Sequence, residues 1–232
     1  MKAPTVVAIA AEAREFAGLL RHAGRTRSTE FALRFARRTE IRGREWLLAA
    51  HGPGPRLARE AARTVLENHA DCLVLSTGFC GALRADLEVG AIVVAREVRG
   101  QRVYAALEPR SIRSDVRGTV RSMDRVAVTV EEKQRLGGDG ACAVEMEAGA
   151  VAEEAARCAA PYYCVRVVSD TAREDLPLDF NAVRDAAGRF STARIVWRAA
   201  LHPAAFPGLI RLGRQGRLAS NALGDYLADC EF

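Results

Sequence analysis

Three carboxylate side chains stand at the ends of three stretches that read as buried β-strands. A buried carboxylate needs a partner, and it can take part in acid–base chemistry or bind the hydroxyls of a ligand. In an open α/β sheet, ligands bind at the carboxyl ends of the strands, so these side chains are expected to meet. They are Glu15 after TVVAIA (5–10), Glu147 after CAVEM (142–146), and Asp170 at the end of YYCVRVVSD (162–170).

The stretch AVEMEAGAVAEEAA (143–156) places two glutamates where a strand passes into a helix. Strand alternation puts Val144 and Met146 on one face, and Glu145 and Glu147 on the other. Glu147 then lies at the helix N-terminus, where the helix dipole favours an ionised carboxylate. A ligand with paired hydroxyls would satisfy that carboxylate, whereas Glu145 is interpreted as a surface residue without a role.

Each candidate also has a purely structural interpretation. Glu15 in a first helical turn is a favourable N-terminal charge, and Asp170 before Thr171 could cap a helix. Phe79, in the predicted turn GFCGAL (78–83), is either a core residue or a wall of a pocket. The three carboxylates and the turn with Phe79 all follow predicted strands, which makes four strand ends. This coincidence favours a functional site over separate structural roles.

Strand and helix patterns alternate along the chain. The run CLVLST (72–77) is continuously apolar, which is typical of a buried parallel strand. The alternation predicts an α/β fold: a three-layer α/β/α sandwich around a mostly parallel mixed sheet. Further predicted elements are strands at 31–38, 45–50 and 91–98, a strand with loops within 99–122, and helices at 12–22, 56–69, 131–136, 148–158 and 179–201.

The length and composition limit the domain organisation. The 232 residues are 49% hydrophobic, which suits one large domain with a sizeable core. We expect a catalytic domain at 1–202 and a helical tail, 203–232, packed on it. No run of about 18 apolar residues is present, so no membrane-spanning segment is expected.

The charge and cysteine content exclude some classes of function. The net charge is +5, with a pI of about 9.1, but 32 of the 34 basic residues are scattered arginines; the lysines are Lys2 and Lys133. This pattern indicates a solvated surface rather than a nucleic-acid-binding face. The six cysteines show neither CxxC nor metal-ligand spacing, so we expect no metal site and a reducing, cytoplasmic location.

The motifs VEMEAGAVA (144–152) and VRVVSD (165–170) resemble those of the nucleoside phosphorylase and nucleosidase superfamily. STGFCGAL (76–83) is similar to the Gly-rich turn of that family. AAEAREFAGLL (10–20) resembles the N-terminus of its nucleosidases. The resemblance covers nearly the whole chain in the right order, and it implies the nucleoside-phosphorylase-like variant of the α/β sandwich.

The resemblance implies roles for individual residues. Two of them are catalytic: Asp170 would protonate the purine N7, and Glu15 would activate water. Glu147 would bind both ribose hydroxyls. The remaining positions would form the substrate site: Met146 under the sugar, Gly78 and Phe79 in the Gly-rich turn, Arg166 and Ser169 supporting the aspartate and sugar regions, and Val126 near the base. An aromatic ring is usual near Val126 in the family, so Phe79 would have to stack on the base.

Cleavage of an N-glycosidic bond fits the three carboxylates, since it needs an acid for the leaving base, a base or anion opposite it, and contacts to the sugar. Water and phosphate are the two nucleophiles that the resemblance allows. The phosphate-binding positions of the bacterial purine phosphorylases correspond here to Ser76 and Phe79, which favours hydrolysis. Arg14 or Arg56 could still bind phosphate as a co-substrate, and no other cofactor is expected.

Some segments resemble a narrower branch, the hopanoid-associated phosphorylases. They are SMDRVAVTVEEKQRL (122–136), EDLPLDF (174–180) and HPAAFPGLIRLGRQGRLASNAL (202–223). Such enzymes are thought to release adenine from adenosylhopane. The tail could contact a membrane surface, although an amphipathic helix packed on the body is the more common arrangement.

One activity is predicted, and two alternatives to it stay open. The chain is expected to release adenine from a 5′-substituted adenosine, as the methylthioadenosine/S-adenosylhomocysteine nucleosidases do; adenosylhopane is the alternative substrate. A non-catalytic nucleoside-binding protein is the alternative from another class. The expected partner is a small-molecule nucleoside and not a nucleic acid, and the resemblance implies a homo-oligomer such as a homodimer.

Overall fold

The computed structural model describes residues 3–67, 69, 71–185, 188–190, 192–201 and 203–232. Its strands are β1 Thr5–Ala10, β2 Arg27–Ser28, β3 Phe35–Ile41, β4 Arg44–Ala50, β5 Cys72–Ala82, β6 Ile92–Arg99, β7 Val103–Ala105, β8 Val116–Ser122, β9 Ala141–Glu145 and β10 Tyr162–Asp170. Its α-helices are α1 Ala17–Leu20, α2 Pro55–Leu66, α3 Val130–Gly137, α4 Ala148–Arg157, α5 Thr192–Leu201 and α6 Phe206–Ala228. Short 3-10 helices lie at Ala13–Phe16, Phe180–Val183 and Pro203–Ala205.

The strands form one mixed sheet in the order β10-β6-β8-β9-β5-β1-β4-β3-β2, with β7 beside β6. Strand β10 also pairs with β5, so five of the strands close into a ring. The central pairs β1–β4, β1–β5 and β5–β10 are parallel, and their carboxyl ends lie at one edge. This edge carries the predicted site residues.

Helices cover both faces of the sheet and complete three layers. On one face α2 and α4 pack on β1, β5 and β10, because their apolar stripes meet the Val- and Ala-rich strands. The inner face of α2 carries Leu57, Ala61, Val65 and Leu66, which are all buried. The other face is covered by α1 and α6.

Helix α6 fixes the N-terminal turn that carries Glu15. A Cβ on Gly18 would lie 1.9 Å from the carbonyl oxygen of Ser220, so only glycine allows the backbones of α1 and α6 to come this close. The Ser220 hydroxyl donates to the Arg14 carbonyl oxygen at 2.9 Å and accepts from the Gly18 amide at 3.1 Å. The second half of the predicted tail is therefore part of the core, while His202, at the predicted domain boundary, lies outside the described residues.

Several predicted boundaries were wrong. The predicted turn at 78–83 is mostly strand, because β5 continues to Ala82 and pairs with β9 and β10. The predicted helix at 179–201 is instead a 3-10 turn followed by α5, with residues 186, 187 and 191 outside the described part. The helix predicted at 12–22 is a 3-10 turn followed by the single turn of α1. No described helix is long and apolar enough to cross a membrane.

Candidate active site

A cavity of about 560 Å³ opens at the carboxyl ends of β1, β5, β9 and β10. The structure brings most of the predicted site residues to its wall. Those lining it are Glu15, Phe79, Val126, Met146, Glu147, Ser169 and Asp170. Gly78 and Arg166 are not on the wall, and Arg166 is fully buried behind it.

Glu15 is held by the backbone on both of its carboxylate oxygens. Its Oε1 accepts from the Phe79 amide at 2.7 Å, and its Oε2 accepts from the Glu12 amide at 2.7 Å. Gly78 has φ +129°, and a Cβ there would lie 2.5 Å from Glu15 Oε1. The glycine thus makes room for the carboxylate. Burial raises the pKa of Glu15, against the lowering effect of the two amide hydrogen bonds.

Arg166, on β10, is the cation of a buried acidic cluster. Its Nη2 lies 2.6 Å from Glu145 Oε2 and donates to Ser76 Oγ at 2.6 Å, and its Nη1 donates to the Thr77 carbonyl oxygen at 2.9 Å. Glu147 Oε2 lies 3.7 Å from Nη1. Arg166 therefore supports the Glu147 side of the cavity, and Asp170 is held by other groups.

The interpretation of Glu145 as a surface carboxylate was wrong. Its Oε2 accepts from the amides of Glu147 and Ala148, both at 2.8 Å, and so binds the N-terminus of α4. Strand β9 ends at Glu145, so the predicted strand alternation does not continue to Glu147. The peptide instead turns, and Val144, Glu145, Met146 and Glu147 all reach the cavity wall.

Glu147 is deeply buried and lies near two other carboxylates, Glu145 and Glu15. Its Oε1 accepts from the Gly54 amide at 2.8 Å. Burial, followed by the neighbouring Glu145 carboxylate, raises the pKa of Glu147 to about 8, while Arg166 acts in the opposite direction. The charge of Glu147 therefore depends on the groups that lie next to it.

Asp170, at the end of β10, is held by two side chains. Ser169 Oγ donates to its Oδ1 at 2.9 Å, and Lys133 Nζ lies 2.7 Å from its Oδ2. Burial raises the pKa of Asp170, although Lys133 and Ser169 lower it. Sequence reasoning missed Lys133 as a site residue; the sequence shows only that lysine occurs twice in the chain, and the burial of Lys133 is seen in the structure.

The aromatic part of the cavity differs from the expectation. Phe79 lines the wall, and so do Phe180 and Phe190, which were not predicted; their rings meet edge to face, with centroids 5.8 Å apart. The backbone amide of Val126 donates to Asn181 Oδ1 at 2.8 Å. In return, Asn181 Nδ2 donates to the carbonyl oxygen of Val126 at 3.0 Å. Phe180 is the last residue of EDLPLDF (174–180), a stretch in which the sequence predicted no site residue, and Phe190 lies on a segment without a motif.

Cationic side chains on the wall are already paired. Arg14 lies 2.5 Å from Glu12, and Arg125 pairs with Glu132. Arg56, the other arginine considered for phosphate, pairs with Glu60 on the outer surface of α2 and is not on the wall. Within the described residues, no group of three or more His, Cys, Asp or Glu side chains could hold a metal ion.

The family model of the phosphorylase superfamily matches residues 5–111 and 101–199. The chain belongs to this superfamily. The match confirms the family that the motifs predicted. Two relatives named 5′-methylthioadenosine/S-adenosylhomocysteine nucleosidase, from Shewanella piezotolerans and Aeromonas salmonicida, are each 26% identical over 188 residues, spanning 68% of this chain and 82% of theirs.

Solved structures of the superfamily show the same fold. The nucleosidase of Neisseria meningitidis, in complex with methylthio-immucillin-A, superposes with a TM-score of 0.73 at 21% identity over 97% of both chains. The Streptococcus pyogenes S-adenosylhomocysteine nucleosidase, in complex with 5-methylthiotubericidin, gives 0.75 at 16% identity, covering 99% of this chain and 96% of the other. Futalosine hydrolase of Helicobacter pylori gives 0.67 at 15%, covering 97% and 95%. The predicted fold class is confirmed.

Proposed function

We propose that the chain hydrolyses the N-glycosidic bond of a 5′-substituted adenosine and releases adenine. The observation that carries this proposal is the convergence of Glu15, Glu147 and Asp170 on one cavity from three strand ends. The names of the related nucleosidases support the same substrate class.

The three carboxyl groups divide the reaction between them. Asp170, whose pKa is raised by burial, donates a proton to N7 of the base as the bond between C1′ and N9 breaks. The bonding electron pair leaves with the base. Water adds to C1′ and gives its proton to Glu15, while Glu147 accepts hydrogen bonds from the ribose hydroxyls. Met146 packs under the sugar.

Water is favoured over phosphate as the nucleophile. Ser76 is fully buried and turned toward Arg166, so it is not available to a ligand in the cavity. Phe79 occupies the wall where an anion would need a donor side chain. The cations among the described wall residues, Arg14 and Arg125, are each held by a glutamate. Phosphate as a co-substrate would have to break one of these pairs.

The apolar share of the cavity wall suits an apolar 5′ substituent. It includes Leu176, Phe180, Phe190, Ile195, Leu209 and Leu212. A methylthio group needs no polar partner, whereas the amino and carboxylate groups of homocysteine do. We therefore propose that 5′-methylthioadenosine is turned over with a higher kcat/KM than S-adenosylhomocysteine. The adenosylhopane alternative is not favoured by the relatives.

A membrane contact of the C-terminal part of the chain is a separate proposal. The apolar side chains of Trp197, Leu201, Phe206 and Ile210 are all about half exposed or more, and residues 186–224 carry six arginines and no acid. A basic surface with exposed aromatic side chains suits anionic lipid. Co-sedimentation with phosphatidylglycerol vesicles, but not with phosphatidylcholine vesicles, would support the contact.

Trp197→Ser should reduce that sedimentation, whereas Ile112→Ser should not, because Ile112 is even more exposed than Trp197 but lies outside the basic segment. Equal sedimentation of both variants would contradict the contact.

A cytoplasmic location, supported by six unpaired cysteines, and a homo-oligomeric assembly are also proposed. Light scattering after gel filtration measures the assembly.

Adenine release by purified variants tests the catalytic assignment. Asp170→Asn and Glu15→Gln should each lower kcat by about 10²-fold or more, since an acid or base of this kind contributes about 10²–10⁴-fold. Asp86→Asn, a surface aspartate paired with Arg84, is the control and should keep full activity. A wild-type protein that binds adenine but never releases it from a nucleoside would instead be a binding protein.

A further inference from the structure

Lys133, on α3, uses all three of its ammonium protons inside the protein. Its Nζ lies 2.7 Å from Asp170 Oδ2 and donates to the carbonyl oxygens of Thr171 at 2.8 Å and Glu174 at 3.0 Å. The side chain is 0% exposed. An ammonium group has three donors and no acceptor, so the three contacts satisfy it completely.

A buried charge of this kind is costly unless it is paired and hydrogen-bonded. The chain uses arginine for 32 of its 34 basic residues, and arginine is the usual partner of its carboxylates. At position 133 it instead places a compact point charge that can reach one carboxylate and two carbonyls at once, which a planar guanidinium fork does not match. Lysine satisfies all three of these groups, whereas an arginine would keep the positive charge beside Asp170 and lose part of the hydrogen bonding to the two carbonyls.

We propose that Lys133 is a positioning residue that holds Asp170 at the cavity wall and stabilises its carboxylate after the proton has passed to the leaving base. This proposal rests on the proposed function, in which Asp170 is the acid. Lys133 does not touch the substrate in this arrangement, because it does not line the cavity. It acts through Asp170 alone.

The physical reason is the change of charge on Asp170 during the reaction. Before proton transfer the carboxyl is neutral and gains little from a nearby ammonium. After transfer it is an anion 2.7 Å from a buried cation, so the interaction is stronger late in the reaction than at its start. Interactions that strengthen toward the transition state accelerate the chemical step.

Other groups that face Asp170 cannot replace this effect. Glu174, in the loop after β10, is an acid and raises its pKa. Cys80, on β5, is buried, and burial raises the pKa of its thiol, so it stays neutral. The Ser169 hydroxyl donates a hydrogen bond without carrying charge. Lys133 is thus the cation among the groups acting on Asp170 in the described structure.

Two substitutions separate charge from hydrogen bonding. Lys133→Gln keeps amide donors for the two carbonyls and removes the charge, whereas Lys133→Arg keeps the charge and alters the shape. Thr129→Ala is the matched control, because it removes the N-cap of α3, where Thr129 Oγ1 accepts from the Glu132 amide at 3.2 Å, and leaves the ammonium in place.

The first readout is the pH profile of kcat for adenine release. The reaction needs Asp170 protonated, so activity falls as pH rises through its pKa. In Lys133→Gln this alkaline limb should move to higher pH by about one unit or more, because an opposite charge at this distance lowers a carboxyl pKa by about 1–3 units. The kcat should fall about ten-fold, since a weaker acid loses part of the 10²–10⁴-fold that acid catalysis supplies. KM should change little.

Lys133→Arg should keep the wild-type position of the limb, and Thr129→Ala should keep both limb and kcat while lowering thermal stability. A Lys133→Gln protein with an unmoved limb would overturn the proposal, and so would a Thr129→Ala protein with the same shift. If Lys133→Gln does not fold, Lys133→Arg decides: an alkaline limb that moves despite the retained charge would overturn the proposal.

The second readout does not depend on turnover. Carbon-13 NMR of labelled aspartate carboxyls, with the Asp170 signal assigned by its absence in Asp170→Asn, gives the titration midpoint directly. The midpoint should rise in Lys133→Gln. An unchanged midpoint would overturn the proposal even if the enzyme is active, and a raised midpoint in a protein that releases no adenine would leave the electrostatic link standing while the proposed function falls.

Discussion

The pH dependence of nucleoside binding should report the charge of Glu147. Two ribose hydroxyls need two acceptors, which the ionised carboxylate offers and the protonated carboxyl does not. With the pKa of Glu147 at about 8 in the empty site, about one molecule in eleven is ionised at pH 7. Since the apparent Kd is the intrinsic Kd divided by the competent fraction, binding at pH 7 should be about eleven-fold weaker than its high-pH limit, and about a hundred-fold weaker at pH 6.

Isothermal titration calorimetry of Asp170→Asn with 5′-methylthioadenosine is the assay. This background stops turnover and removes the carboxyl group that faces the base. We expect log Kd to fall with a slope near −1 below about pH 8, and about 0.9 protons to be released on binding at pH 7 in buffers of different ionisation enthalpy. Adding Glu147→Gln should abolish both the slope and the proton release. A flat profile, or a slope that survives Glu147→Gln, would show that the charge of Glu147 does not control binding.

Three further perturbations have expected outcomes. Gly78→Ala should lower the rate of adenine release by about 10²-fold, because the new Cβ displaces Glu15 and a misplacement of about 1 Å can cost that much. Gly43→Ala is the control and should keep full activity, because Gly43 also has a positive φ but open space around it. In chemical denaturation Arg166→Met should cost about 3–5 kcal/mol of unfolding free energy, since it strands buried carboxylates. The free energy of unfolding should also fall by up to about 1–2 kcal/mol from pH 6.5 to 8, because the unfolded Glu147 is ionised in this window while the folded one still holds its proton, and Glu147→Gln should flatten that slope.

The sequence predicted the strand ends and their acids because both leave local signals. Period-two alternation, continuous apolar runs and a family-like order of motifs place Glu15, Glu147 and Asp170 without any knowledge of packing. The same local reading failed for Glu145. Alternation assumes that a strand continues, and β9 stops at this residue, so its carboxylate turns to the N-terminus of α4 and to Arg166.

Contacts across long sequence separations could not be read from patterns. The pair between Lys133 and Asp170 joins α3 to the end of β10, and the surrounding EEKQRL looks like an exposed helix. The closing of the strands into a ring depends on β10 pairing with both β5 and β6, which no single segment encodes. Phe180 begins a short 3-10 helix and Phe190 lies between that helix and α5, so the direction of both rings into the cavity follows tertiary packing.

The release of adenine from 5′-methylthioadenosine in phosphate-free buffer distinguishes hydrolysis from phosphorolysis. We expect release at the same rate with and without phosphate, with a free sugar as the second product, and loss of release in Asp170→Asn. Release that occurs only with phosphate and yields a sugar 1-phosphate would contradict the reading of Ser76 and Phe79 and make the protein a phosphorylase.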